Sequence, residues 1–100
     1  MSHFIFGHTQ NRLPINAYKF GNIGPQVLIV GGVHGDEIEG VQAALGLLDV
    51  FQKSFPYKLQ ITLVPALNMD GVLAGQRKNA RGVDLNRNLP TEDWSPKAAK

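Results

Sequence analysis

Val27-Leu28-Ile29-Val30 is an unbroken apolar run that ends on Gly31-Gly32. A segment of helical period follows, and then a second apolar run, Leu59 to Ala66. No other feature limits the fold as strongly. A short continuous apolar strand suits a position buried on both faces of an α/β sheet. Two such strands separated by one helix make a right-handed βαβ unit with parallel pairing. The helix is predicted to start at Asp36 or Glu37 and run to about Ser54. Ile38, Val41, Ala44, Leu45, Leu48 and Phe51 share one face of it, opposite Gln42, Gly46, Asp49 and Lys53, which is the pattern of an amphipathic helix lying on a sheet. Asp36, Glu37 and Glu39 in the first turn suit the positive helix N-terminus, and Pro56 stops the helix.

Ahead of this unit, His3 to His8 and Leu13 to Phe20 alternate loosely and are joined by Thr9-Gln10-Asn11-Arg12. They read as an antiparallel hairpin or a pair of edge strands. Gly21-Asn22-Ile23-Gly24-Pro25 is a turn cluster. After the unit, Asn68-Met69-Asp70-Gly71 has turn chemistry. Val72 to Pro90 has no sustained period and reads as loop, and loops of that length in compact domains are commonly functional or disordered.

One hundred residues with 43% hydrophobic and 18% charged side chains belong to a globular class, one domain or part of one. No apolar run is long enough to span a bilayer, and Met1 to His8 lacks the pattern of a secretory signal. The chain has no cysteine, so it offers no disulfide and no thiolate ligand. These features lead to an expectation of a cytoplasmic protein without a membrane partner. The net charge of +2 does not by itself indicate nucleic acid. Residues 76–88 alone carry +3, from Arg77, Lys78, Arg81 and Arg87 against Asp84, and the remainder of the chain is at −1. Positive charge gathered in one loop suits a small anionic ligand better than a polyanion.

His34 and Glu37 stand at the strand-to-helix junction, three residues apart, in Gly31-Gly32-Val33-His34-Gly35-Asp36-Glu37. That spacing lets an imidazole nitrogen and a carboxylate oxygen converge on one point above the sheet edge. A divalent cation, Zn²⁺ foremost, is the natural occupant. The competing reading is a satisfied loop histidine beside a first-turn helix carboxylate. Two ligands do not hold a catalytic zinc, which takes three protein ligands and an open position. The loop opposite holds three arginines and three asparagines within the twelve residues from Arg77 to Asn88. Arginine provides fixed, always-charged donor forks, and asparagine provides paired donor and acceptor groups without charge. Together they can clamp a carboxylate and stabilise a tetrahedral oxyanion. A solvated basic loop is the plainer alternative.

His34-Gly35-Asp36-Glu37, Asn68-Met69-Asp70-Gly71 and Asp84-Leu85-Asn86-Arg87-Asn88 occur in the order and at approximately the spacing of the zinc metallocarboxypeptidases. From about Gly24 to Pro90 the chain resembles that carboxypeptidase A-like family, and most of all its bacterial murein peptide amidase-type members. The resemblance implies an α/β fold of three layers, a mixed and mostly parallel sheet with flanking helices. It implies that His34 and Glu37 are the first two zinc ligands. It implies that Arg77 polarises the scissile carbonyl and stabilises the oxyanion, that Asn86 and Arg87 bind the terminal carboxylate of the substrate, and that Asp84 orients the histidine ligand. Arg81 has no matching role. Met69 stands where the family usually has proline, and Leu89 where phenylalanine or tryptophan is common.

The family's third ligand, a histidine, comes downstream of the Asn-Arg pair, and its general-base glutamate and capping tyrosine come later still. Nothing after Pro90 supplies them, His3 and His8 lie in the expected edge strands, and no pattern aims Glu39 or Glu92 at the site. The expectation is therefore that residues 1–100 form the N-terminal part of a single zinc peptidase-like catalytic domain, inactive alone. The implied substrate is a peptide or murein peptide with a free carboxylate. Two rival readings stand beside this one. The first is an aspartoacylase/succinylglutamate desuccinylase-like zinc amidohydrolase acting on N-acyl amino acids. The second is a non-catalytic α/β fragment whose basic loop binds anions. The chain has no phosphate-loop or dinucleotide fingerprint and no aromatic residues interleaved with its basic ones, which argues against a nucleic-acid partner.

Overall fold

The computed structural model of the protein describes residues 1–81. Asp84, Asn86 and Arg87, and with them Leu89 and Glu92, lie outside the described residues. Four strands and two helices follow one another as β1 (Ser2–His8), β2 (Pro14–Phe20), β3 (Gln26–Val30), α1 (Ile38–Lys53), β4 (Gln60–Val64) and α2 (Met69–Ala74). The strands form one mixed sheet in the order β1-β2-β4-β3. The β3–β4 pair is parallel, with Ile29 beside Leu63 and Val30 beside Val64, as the βαβ reading requires. The β1–β2 and β2–β4 pairs are antiparallel. Among the described residues no helix is long and apolar enough to cross a membrane.

The core forms where β4 lies between β2 and β3. Ile61 and Leu63 point to the face covered by α1 and pack with Ala44, joined by Tyr18, Ile29, Leu48, Phe51, Phe55 and Leu59. Phe20 of β2 meets Phe51 edge to face at 5.4 Å and Phe55 at 5.7 Å. Tyr57 closes this cluster against both Phe51 and Phe55. The aromatic group pins the C-terminal end of α1 to the sheet, and such pairs add about 0.5–1.5 kcal/mol each beyond the area they bury.

Three sequence expectations change. β3 is not buried on both faces: among the described residues it is an edge strand, and Leu28 is 58% exposed. The central position goes to β4 because β2 returns antiparallel to it. Apolar content told the two strands apart from loops but not from each other. Second, the apolar stripe of α1 is wider than its contact with the sheet. Ala44 is buried, but Ile38 and Leu45 are about half exposed. Ala44 and, toward the start of the helix, Gly40 lie close against Gly31 at the end of β3, and residues displaced from that line are exposed. Third, the segment beginning at Met69 is a short helix, not loop. Asn68 is its N-cap and accepts a hydrogen bond from the Gly71 N–H at 3.1 Å. Asparagine, aspartate and glycine in sequence mark a turn, but asparagine is equally a strong helix N-cap.

Candidate functional site

β3 ends at Val30, but its pairing with the other chain segment does not. The Gly31 N–H donates to Val64 O, the Leu67 N–H to Gly31 O and the Asn68 N–H to Gly32 O. The ladder thus runs past both strands and brings Asn68 beside the loop that carries His34. Gly32 turns the chain here with φ +66°, a left-handed conformation that costs a side-chain-bearing residue about 1 kcal/mol or more. After this turn Val33, His34 and Gly35 lead into α1.

Glu37 is the N-cap of α1, yet its side chain caps nothing. It is directed at the neighbouring loop instead. Oε2 lies 3.5 Å from Nδ1 of His34, and Oε1 lies 3.7 Å from a guanidinium nitrogen of Arg77. A helix start gives up a cap worth about 1 kcal/mol and places a carboxylate between an imidazole and a guanidinium. The His34 side chain is largely buried, at 12% exposure, whereas Glu37 and Arg77 reach solvent. His34, Glu37 and Glu39 line an open cleft of about 310 Å³ at the C-terminal end of β3. Ligand sites of open α/β sheets characteristically lie in such crevices beyond the strand ends.

The His34–Glu37 pair fits a tetrahedral cation. Bonds of about 2.0–2.1 Å to zinc set two donor atoms about 3.3–3.4 Å apart, and the observed separation is 3.5 Å. The pair also has the right donor chemistry, one imidazole nitrogen and one carboxylate oxygen. Among the described residues no group of three such side chains forms. Glu39 shares the cleft without completing a shell. His3 is committed elsewhere, stacked on Tyr18 and hydrogen-bonded to Asn16 Oδ1 at 2.8 Å on the hairpin.

Of the residues singled out from the sequence, the fold brings together His34, Glu37 and Arg77. Arg81 lies in an exposed turn where its N–H donates to Asn79 Oδ1. Two buried polar residues were not assigned a role from the sequence, Asn68 and Asp70. Asp70 accepts a hydrogen bond from Thr9 Oγ1 at 2.7 Å and another from the Asn11 N–H at 3.0 Å. It thereby ties the β1–β2 turn to α2, across some sixty residues of sequence. Thr9 Oγ1 also accepts the Leu13 N–H. Thr9→Val keeps the shape and removes both bonds. Hydrogen bonds to charged groups contribute about 1.5–3 kcal/mol, so the variant is expected to lose roughly 2 kcal/mol, read as a lower urea midpoint at unchanged slope.

The fold has solved counterparts. A metallo-carboxypeptidase from Burkholderia cenocepacia superimposes with a TM-score of 0.78 at 23% identity, over 97% of this chain and 31% of that one. The architecture is therefore the carboxypeptidase-like α/β class. Residues 23–99 match the succinylglutamate desuccinylase/aspartoacylase catalytic domain. The chain belongs to that family. A succinylglutamate desuccinylase/aspartoacylase from Rhodobacter sphaeroides has a TM-score of 0.64 at 30% identity, over 80% of this chain and 25% of that one. Murein peptide amidase A of Escherichia coli (strain K12) is 40% identical over 67 residues, which are 67% of this chain and 26% of that protein. The chain spans about a quarter of the length of murein peptide amidase A and 19% of the length of a rat carboxypeptidase N catalytic chain. By their names these relatives are hydrolases: amidases, a deacetylase and carboxypeptidases.

Proposed function

We propose that this chain carries half of a zinc centre and the oxyanion-facing arginine of a cytoplasmic amidohydrolase, one that cleaves the C-terminal amide bond of a peptide or murein peptide bearing a free carboxylate. The observation that carries the reading is the 3.5 Å approach of His34 Nδ1 to Glu37 Oε2 with Arg77 on the other carboxylate oxygen. His34 and Glu37 are the residues that would hold the zinc. When bound, zinc would supply Lewis-acid polarisation of the scissile carbonyl and a lowered pKa for water.

The chain's own residues would supply oxyanion stabilisation and substrate-carboxylate binding. Arg77 approaches Glu37 Oε1 at 3.7 Å, and its guanidinium donors would stabilise the developing oxyanion. Asn86 and Arg87 would fix the substrate carboxylate through one neutral and one charged donor group, presenting only the last amide bond. Asp84 would orient the imidazole of a histidine ligand. The resemblance to the zinc metallocarboxypeptidases implies that a glutamate downstream of Asn86 and Arg87 would take the proton of the attacking water and pass it to the leaving amine.

The match of residues 23–99 to the desuccinylase/aspartoacylase domain favours a second reading, in which the same site hydrolyses an N-acyl amino acid. Both readings require the metal pair. Equilibrium dialysis is expected to show Zn²⁺ uptake by the chain that falls more than ten-fold in His34→Ala; uptake unchanged by that substitution would overturn the assignment. In the full-length protein, turnover of a murein tripeptide or tetrapeptide in preference to acyl-aspartate and acyl-glutamate supports the peptidase reading, and the reverse preference replaces it with the second.

A further inference from the structure

We infer that Asn68 is a positioning residue that locks the His34 loop and the Arg77 loop into one register, an inference that rests on reading those two residues as parts of a single site. Asn68 is 2% exposed, and both ends of its amide are used. Oδ1 accepts the Gly71 N–H at 3.1 Å. Nδ2 donates one hydrogen to Val33 O at 3.2 Å and the other to Arg77 O at 3.3 Å. The opposite amide orientation would turn Nδ2 toward the Gly71 N–H, donor against donor, so the arrangement has one consistent assignment.

The two carbonyls belong to the residues that matter. Val33 immediately precedes His34. Arg77 O is also the acceptor for the N–H of Gly35, the residue immediately after His34, at 3.4 Å. The backbone is therefore held on both sides of His34, directly from Asn68 on one side and through the Arg77 carbonyl on the other. A primary amide is what this junction needs: two donors to span two segments and an acceptor to cap α2. Aspartate keeps the cap but has no donor. Serine keeps the cap but cannot span both carbonyls.

Asn68 is itself well anchored. Its N–H donates to Gly32 O and its carbonyl accepts the Val72 N–H. Two residues on, Asp70 grips the β1–β2 turn through Thr9 and Asn11. The tether thus transmits the rigidity of the sheet to two loop side chains that must be placed to within a fraction of an ångström. Groups that orient metal ligands from behind typically change metal affinity 10- to 100-fold when removed.

The test compares Asn68→Asp and Asn68→Ser with the unaltered chain, with Leu63→Ala as a variant destabilised away from the tether. Amide hydrogen exchange on the metal-free protein is read at Gly35, Gly71 and the β4 amides. In the Asn68 variants the Gly35 amide is expected to lose protection at least ten-fold, while Gly71, still capped by the retained side-chain oxygen, and β4 stay within about three-fold. Leu63→Ala should lower all of them together. Competition with a chelating dye should show Zn²⁺ affinity at least ten-fold weaker in both Asn68 variants. If Asn68→Asp fails to fold, Asn68→Ser carries the comparison. Equal loss at Gly35 and Gly71, an unchanged Gly35 amide, or unchanged Zn²⁺ affinity in a chain that binds zinc would each overturn the inference. Absence of zinc binding in the unaltered protein would instead overturn the metal reading, and the exchange pattern alone would then decide whether the tether exists.

Discussion

Gly35→Ala is expected to destabilise the protein by about 3 kcal/mol or more, although it adds one methyl group. A Cβ at this position would stand 2.1 Å from the Gly71 carbonyl carbon and 2.2 Å from Gln76 O. Both are backbone atoms of α2 and the segment after it, so no side chain can rotate away. Extra methylenes in well-packed sites cost typically about 1–3 kcal/mol and more where the surroundings cannot yield. The strain has one outlet, separation of the His34 loop from α2, and that would break the Gly35 N–H to Arg77 O hydrogen bond. Urea unfolding should therefore show a markedly lower midpoint. Zn²⁺ affinity, measured where the variant is still folded, should fall with it. A Gly35→Ala chain as stable as the original would mean that this loop does not sit against α2.

Leu63→Ala is the second large effect, expected at about 2–5 kcal/mol, the range for emptying a buried leucine site. Leu63 is fully buried on the central strand, flanked by Tyr18 on β2 and Ile29 on β3. It packs in the core cluster with Ala44 of α1. Little can collapse into the space, because strand pairing holds both neighbours. Urea or thermal unfolding measures the loss. A change under 1 kcal/mol would show that α1 is not seated on β4. The variant should leave the hydrogen-bond pattern around Asn68 in place, which makes it the natural control for that residue.

The two variants separate kinds of information that the chain carries differently. The βαβ unit was readable because apolar periodicity reports burial directly. The strand at Gln26–Val30 and the helix at Ile38–Lys53 fall where the apolar run and the three- and four-residue spacing put them, within the usual uncertainty of element ends. The meeting of His34 and Glu37 was likewise legible, since both are local to one strand-to-helix junction and three residues of spacing fix their relative reach. The chemistry implied for Asp84, Asn86 and Arg87 concerns residues outside the described part of the chain.

Other properties depend on contacts between distant segments. Which apolar strand is central could not follow from composition, because Gln26–Val30 and Gln60–Val64 are alike in length and character; only the antiparallel return of β2 onto β4 sets their order. The role of Asn68 was equally hidden. Its amide acts on carbonyls 35 residues before it and 9 after it, and a turn signature in one dimension gives no sign of partners at those separations. Local patterning therefore specified the elements and the approach of His34 to Glu37, since both depend on near neighbours along the chain. The order of the sheet, the seat of Gly35 against α2 and the joining of two loops through one buried amide were decided in three dimensions, where backbone groups far apart in sequence had to find hydrogen-bond partners on burial.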